Sequence, residues 1–293
     1  MPTFNIAQYS REAGEPLAAS APDTSLWFLL EYNADWEAKA LPASSLSDPV
    51  KSLLLKESKT RENLRVQFIK QKSDEQASIH FYVAHAHPIH PLLYHFELDR
   101  FEDLLDLDLA ALADGRFEGN RSDDKLYLVC TNGKRDLACA KLGLPLYRAM
   151  SQIDYDHVWQ TTHFGGHRFA ATLVCLPHGM CYGRVPVEDA ATLMNAYQQN
   201  QLLPQYYRGS AAYDTPAQAV ECHLREQTGE QALDAFKYLS TEADGDKHWR
   251  VSFDGADGTH YRMGVRAYES EFNVFGSTND TEPHPVTLYT VET

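Results

Sequence analysis

Two short apolar runs, "DKLYLVC" (124–130) and "HVWQTT" (157–162), read as buried strands. Between them "RDLACAKLG" has helical spacing and closes at Gly143, and Pro145 can open a second helical stretch through "PLYRAMSQ". "RFAATLVCL" and "CYGRVP" predict two further strands around the turn "PHGM". "PVEDAATLMNAYQQN" (186–200) opens with proline and acids, as a helix N-terminus should. The order β-α-β-β-β-α over 121–203 is that of a thioredoxin core.

Residues 1–120 hold a degenerate version of the same order. "SLWFLLEY", "LRVQFIKQ", "SIHFYVAHA" and "LLYHFEL" are strand-like, "DPVKSLLLKES" is helical, and "DRFEDLLDLDLAALAD" is a long helical pattern. Residues 204–293 predict a small α+β module. Thr215 and Pro216 signal the start of a helix through "PAQAVECHLREQ", and Thr228 is placed to cap a second helix, "GEQALDAFKYLS". "HWRVSF" and "THYRMGVRAY" flank the turn "DGADG" as a hairpin, and "PVTLYTVE" adds a strand. The expected fold class is therefore α/β, with tandem thioredoxin-like halves, the first degenerate, and a C-terminal module without a catalytic constellation.

The chemistry concentrates at the ends of the two central strands. Cys130 closes the first and His163 follows the second, so both should emerge at one edge of a parallel pair. Cys130 and Cys139 have eight residues between them, and His163 and His167 have three. Two thiolates and two imidazoles in turn-like segments read as ligands of a metal centre. The cysteine spacing is too wide for a zinc knuckle, although Cys2His2 suits tetrahedral zinc, which stays a competing reading. A wide first pair and a narrow second suit a larger body such as a 2Fe–2S cluster, and two imidazoles on one iron raise its potential. Two thiolates also cancel the formal charge of the oxidised core, where four would leave a dianion that is harder to reduce. An imidazole ligand can carry a proton on its remote nitrogen, coupling electron to proton transfer.

Gly165 and Gly166 between the histidines argue against a metalloprotease helix, since each costs a helix about 1 kcal/mol relative to alanine. They suit a tight loop whose N–H groups approach cluster sulfides. Lys134, Arg135 and Arg168 flank the ligands in sequence and would favour a more negative, reduced state; plain exposure explains them equally well. Cys175 and Cys181 read as packing on adjacent strands, and Cys222 as a helix residue. His85, His87 and His90, interrupted by Pro88, read as structural.

These segments resemble the sucrase/ferredoxin-like family, relatives of the thioredoxin-like 2Fe–2S ferredoxins. The resemblance rests on "SREAGEPLAASA", "WFLLEYNADWEAKAL", "CTNGKRDLACA" and "THFGGHRFAATLVCLPHGMCYGRV". It implies a bis-Cys, bis-His 2Fe–2S centre on Cys130, Cys139, His163 and His167. Ala138 and the pair Gln8-Tyr9 stand where many relatives have cysteine, and neither change removes a proposed ligand.

Composition narrows the rest. Of 293 residues 43% are hydrophobic, as in a folded protein, and 26 basic against 41 acidic residues give a net charge of −15. A polyanion such as nucleic acid is an unsuitable partner, whereas a basic redox protein would be steered toward the surface; a homodimer is compatible too. No signal peptide or membrane span stands out, and five cysteines without a regular framework point to a reducing cytoplasm. A thiol oxidoreductase without metal is the alternative for a thioredoxin-like core, but no Cys-x-x-Cys is present. Neither a hydrolase nucleophile elbow nor a Walker loop occurs. The expected task is electron transfer or redox sensing rather than substrate turnover.

Overall fold

The computed structural model describes residues 6–71, 78–277 and 280–292. The chain is mixed α/β, with one large curled sheet and a second, small one. The first half contains β1 (Leu26–Glu31), α2 (Asp48–Thr60), β2 (Leu64–Lys70), β3 (Ile79–His85) and β4 (Leu92–Leu98), after a short helix α1 (Ile6–Glu12). β1 pairs in parallel with β2 and antiparallel with β3, which continues to β4.

The second half repeats this pairing. β5 (Leu126–Cys130) lies parallel to β6 (Val158–Thr161) and antiparallel to β7 (Leu173–Leu176), followed by β8 (Met180–Tyr182). β2 and β6 join the halves through the antiparallel pairs Ile69↔Thr161 and Lys70↔Gln160. β9 (Tyr207–Ser210), in the stretch read as the start of the C-terminal module, pairs with β8 and extends the large sheet to nine strands.

Side-chain alternation sorts the core into layers. Tyr127 and Val129 of β5 pack outward beneath α4 (Leu137–Ser151) and α5 (Ala190–Gln198). Phe28 and Leu30 of β1 pack on the other half's outer layer with Val50 and Leu54 of α2. Trp27, Leu29, Leu126, Leu128, Trp159 and Cys130 fill the inside of the curl, where the halves meet. Because β5 is covered on both faces, all five of its residues are buried.

Several sequence expectations are corrected. Gly143 does not close a helix: α4 runs unbroken from Leu137 to Ser151 through Gly143 and Pro145. The glycine is needed because α4 presses on the end of β5, where a Cβ would strike the Cys130 carbonyl oxygen. The helical pattern at 99–114 splits into a 3-10 turn (Phe101–Asp106) and α3 (Leu109–Ala113), because the Asp108 side chain caps the Ala111 amide. The strand expected at "RFAATLVCL" begins only at Leu173, after a 3-10 turn over His167–Phe169.

α6 (Thr215–Thr228) is capped by Asp214, which accepts from the Ala217 amide, rather than by Thr215. The second helix expected after Thr228 is absent. Gly229 ends α6 in the left-handed region, backbone bonds from Leu202 and Leu233 hold 231–233 extended, and Phe236–Ala243 forms β10. β10, β11 (His248–Gly255), β12 (His260–Val274) and β13 (His284–Glu292) make the second sheet, all antiparallel, with Val220 and Leu224 of α6 packed on Val251, Phe253 and Val265.

Two outcomes follow from this packing. Gly143→Ala should push α4 off β5 and destabilise the chain by about 1–3 kcal/mol, read as a lower midpoint in urea denaturation. His178, in the β7–β8 turn with Nδ1 2.7 Å from the Tyr197 hydroxyl, is held down to a pKa of about 4 by burial and by Lys125. The unfolded chain takes up that proton first, so the contribution of His178 is complete above its ordinary value of 6.5 and is lost as pH falls toward 4. His178→Gln should flatten this acid limb, worth up to roughly 3 kcal/mol, in denaturation midpoints followed against pH.

Candidate metal centre

β5 and β6 run in parallel with Cys130 opposite Thr161, so both strands end at the same edge of the sheet. Cys130 is the last residue of β5, and His163 lies two residues past β6. Cys139 sits in the first turn of α4, whose N-cap is Asp136. The Sγ atoms of Cys130 and Cys139 are each 3.7 Å from His163 Nδ1, and the three ligand atoms lie within 4.8 Å of one another. His167 joins from the other side, its Nδ1 3.1 Å from His163 Nε2. The sequence-nominated four are thus brought together, three as one tight group and His167 behind His163.

The loop that carries the histidines is held from below. Phe164 is fully buried against Trp27, with ring centroids 6.2 Å apart, and Arg65 of β2 donates to its carbonyl. Gly165 and Gly166 take φ of +114° and +77°, a turn that lets residues 167–169 fold back toward His163. At Gly166 a Cβ would also run into the guanidinium of Arg208. The second sheet reaches the site as well, since His167 Nε2 is hydrogen-bonded to the carbonyl of Gly276, just past β12. Next to it Phe275 meets Tyr9 of α1 edge to face at 5.1 Å.

Both thiols are buried and none of the five cysteines is in a disulfide. The Cys139 thiol donates to Cys130, which, with His163 beside it and the Asn132 amide, lowers the Cys130 pKa despite burial. Cys139 is pushed up in turn, and burial with the neighbouring His163 holds His167 down. Of the three basic residues beside the ligands in sequence, two take the plain exposed reading and the third is paired. Lys134 and Arg135 are exposed, and Arg168 is paired with buried Glu15 at 2.6 Å. Arg65 and Arg208, the cations that touch the histidine loop from inside, are far from it in sequence, Arg65 by 99 residues from Phe164, and had no local signal.

The other candidates fall where they do no ligation. Cys175 and Cys181 point to opposite faces of neighbouring strands. His85 Nε2 lies 2.8 Å from the Leu112 carbonyl, and His87 Nδ1 accepts from the Ile89 and His90 amides. A second cluster escaped the sequence reading: His80, His95 and Glu97 on the β3–β4 hairpin, with ligand atoms within 4.8 Å. The cross-strand pairing His80↔Glu97 is the signal that could have found it.

The sucrase/ferredoxin-like family model matches residues 17–209, from the segment before β1 to the end of β9. The chain belongs to the sucrase/ferredoxin-like family. A relative from Meyerozyma guilliermondii, named altered inheritance of mitochondria protein 32, is 32% identical over 104 residues, 32% of this chain and 37% of its own length. This sucrase/ferredoxin-like chain therefore spans well under half of that relative. No solved structure matches it. Among its described residues, no helix is long and apolar enough to cross a membrane.

In the metal-free protein, ultraviolet thiolate absorbance should report one cysteine ionising below the ordinary thiol range. Cys139→Ala removes the main donor to that thiolate, so the transition should move to higher pH; a transition left in place would assign it to another cysteine.

Proposed function

We propose that the chain is a 2Fe–2S electron-transfer or redox-sensing protein whose cluster is held by Cys130, Cys139, His163 and His167. The observation that carries this reading is the meeting of two buried thiols and two adjacent, mutually tilted imidazoles at one sheet edge beside a helix N-terminus. The donor set fits such a group: soft thiolates and imidazoles, with the thiols free and shielded from water. Family membership and the repeated strand pairing of the two halves support a tandem thioredoxin-like, ferredoxin-like reading.

When bound, a 2Fe–2S cluster accepts and releases single electrons. The chain's own residues set the conditions. Cys130 and Cys139 supply negative charge, and His163 and His167 donate without adding any. Phe164 and Arg65 fix the loop, and the Gly276 carbonyl orients the His167 ring. The acidic surface would attract a basic redox partner, and a second copy of the chain is another candidate. The relative's name concerns mitochondria, so the compartment is read as one that keeps thiols reduced, with cytoplasm as one such place.

A specific observation favours zinc as the second reading. Both sulfurs lie 3.7 Å from one nitrogen, close to the ligand spacing around a single tetrahedral ion, and His167 then orients His163 rather than ligating.

Freshly purified protein should be coloured, with about two iron and two sulfide per chain. Cys130→Ala should lose the colour, and His163→Cys should keep it at a lower potential, because a thiolate adds negative charge. A colourless protein carrying one zinc would give the site to zinc. A metal-free one in which Cys130 and Cys139 interconvert between thiols and disulfide would give it to thiol chemistry.

A further inference from the structure

Behind the histidine loop lies a cavity of about 800 Å³ between the large sheet, α6 and the second sheet. Gly166 and Arg168 form one wall; Ala219, Cys222, His223 and Glu226, spaced as one face of α6, form another; Thr287–Val291 of β13 closes the third. Its size is that of a small-ligand site.

The charges around it do not balance. Arg168, Arg184 and Arg208 surround the Phe169 ring at 4.8, 5.3 and 5.2 Å. Glu15 is the carboxylate bonded within this group, and it is taken by Arg168 and Ser10. Arg225, also on the cavity wall, is satisfied by Glu221 at 3.0 Å. Arg208 has no such partner. The residue is 1% exposed, and its guanidinium donates to the Ser20 hydroxyl and carbonyl and leaves Nη1 with no hydrogen-bond partner among the described residues. His223 Nε2, on the same cavity, is buried and unpartnered too. An unmatched buried guanidinium is strongly unfavourable, and an unpaired buried polar atom adds to that cost. Two such groups lining one cavity, in a chain whose net charge is −15, mark a place built for an anion.

We infer that this cavity binds a small organic anion, its carboxylate or phosphate head on Arg208 beside Arg168 and its body along the His223 face of α6. The head would lie against Gly166, between the two histidines of the metal centre. Guanidinium groups suit both heads, since each offers paired oxygens to a planar fork of donors. Glu226 is exposed at the cavity wall and sets a limit on how much negative charge the body can carry. The inference does not rest on which metal occupies the centre.

Calorimetric titration of the full purified chain with sodium phosphate, and separately with sodium benzoate, tests it at constant ionic strength made up with chloride. Saturable binding of at least one anion is expected, and the two titrations tell the phosphate head from the carboxylate. Arg208→Met should weaken binding at least about tenfold, and Arg168→Gln by roughly threefold. Should Arg208→Met fail to fold, Arg208→Lys, which keeps charge but loses the fork, should weaken binding, and Arg168→Gln, 27% exposed in the native chain, decides beside it. Absence of saturable heat with both anions, or binding unchanged in the folded variants, overturns the inference.

Discussion

The parallel pairing of β5 and β6 is the constraint on which the rest of the site depends. Parallel strands end at the same edge, so a thiol closing one and an imidazole following the other are delivered to the same place without any long-range search. Everything else adjusts to that edge. α4 returns across β5 so closely that Gly143 can bear no side chain, and this approach brings Cys139 over Cys130.

The histidine loop illustrates a different physical problem, since a tight turn of two glycines has little stiffness of its own. Its order is imposed by neighbours from three parts of the chain: Trp27 and Arg65 from the first half, Arg208 from β9 and Gly276 from the second sheet. The first half carries no cysteine, and its part in the site is this support from beneath. Rigid side chains packed around a flexible loop are the usual way to hold reactive groups in one geometry.

Much of this was legible in the sequence because it is local. Strand positions, the helix after Cys130 and the four clustered residues all follow from patterns a few residues long. The failures have equally physical causes. Side-chain capping by Asp108 cut a helical pattern in two, and sheet pairing overrode the helix-forming composition after Thr228. Arg65 and Arg208 were invisible because a single arginine has no periodicity to betray it, and its importance comes only from what the fold stacks on top of it. Gly276, 109 residues from His167, is the extreme case: a backbone carbonyl has no sequence signature at all.

That carbonyl has a consequence for how the two sheets communicate. Among the described residues it is a direct polar tether between the candidate centre and the segment just past β12, and it is attached to a ring that also touches the other histidine. Thermodynamic linkage then works in both directions. Whatever fixes the orientation of His167 also tightens the seating of the β12 end, and whatever pulls that end away returns rotational freedom to the ring. The second sheet is in this sense a lever on the candidate site, since the freedom of the His167 ring beside His163 depends on where the end of β12 sits.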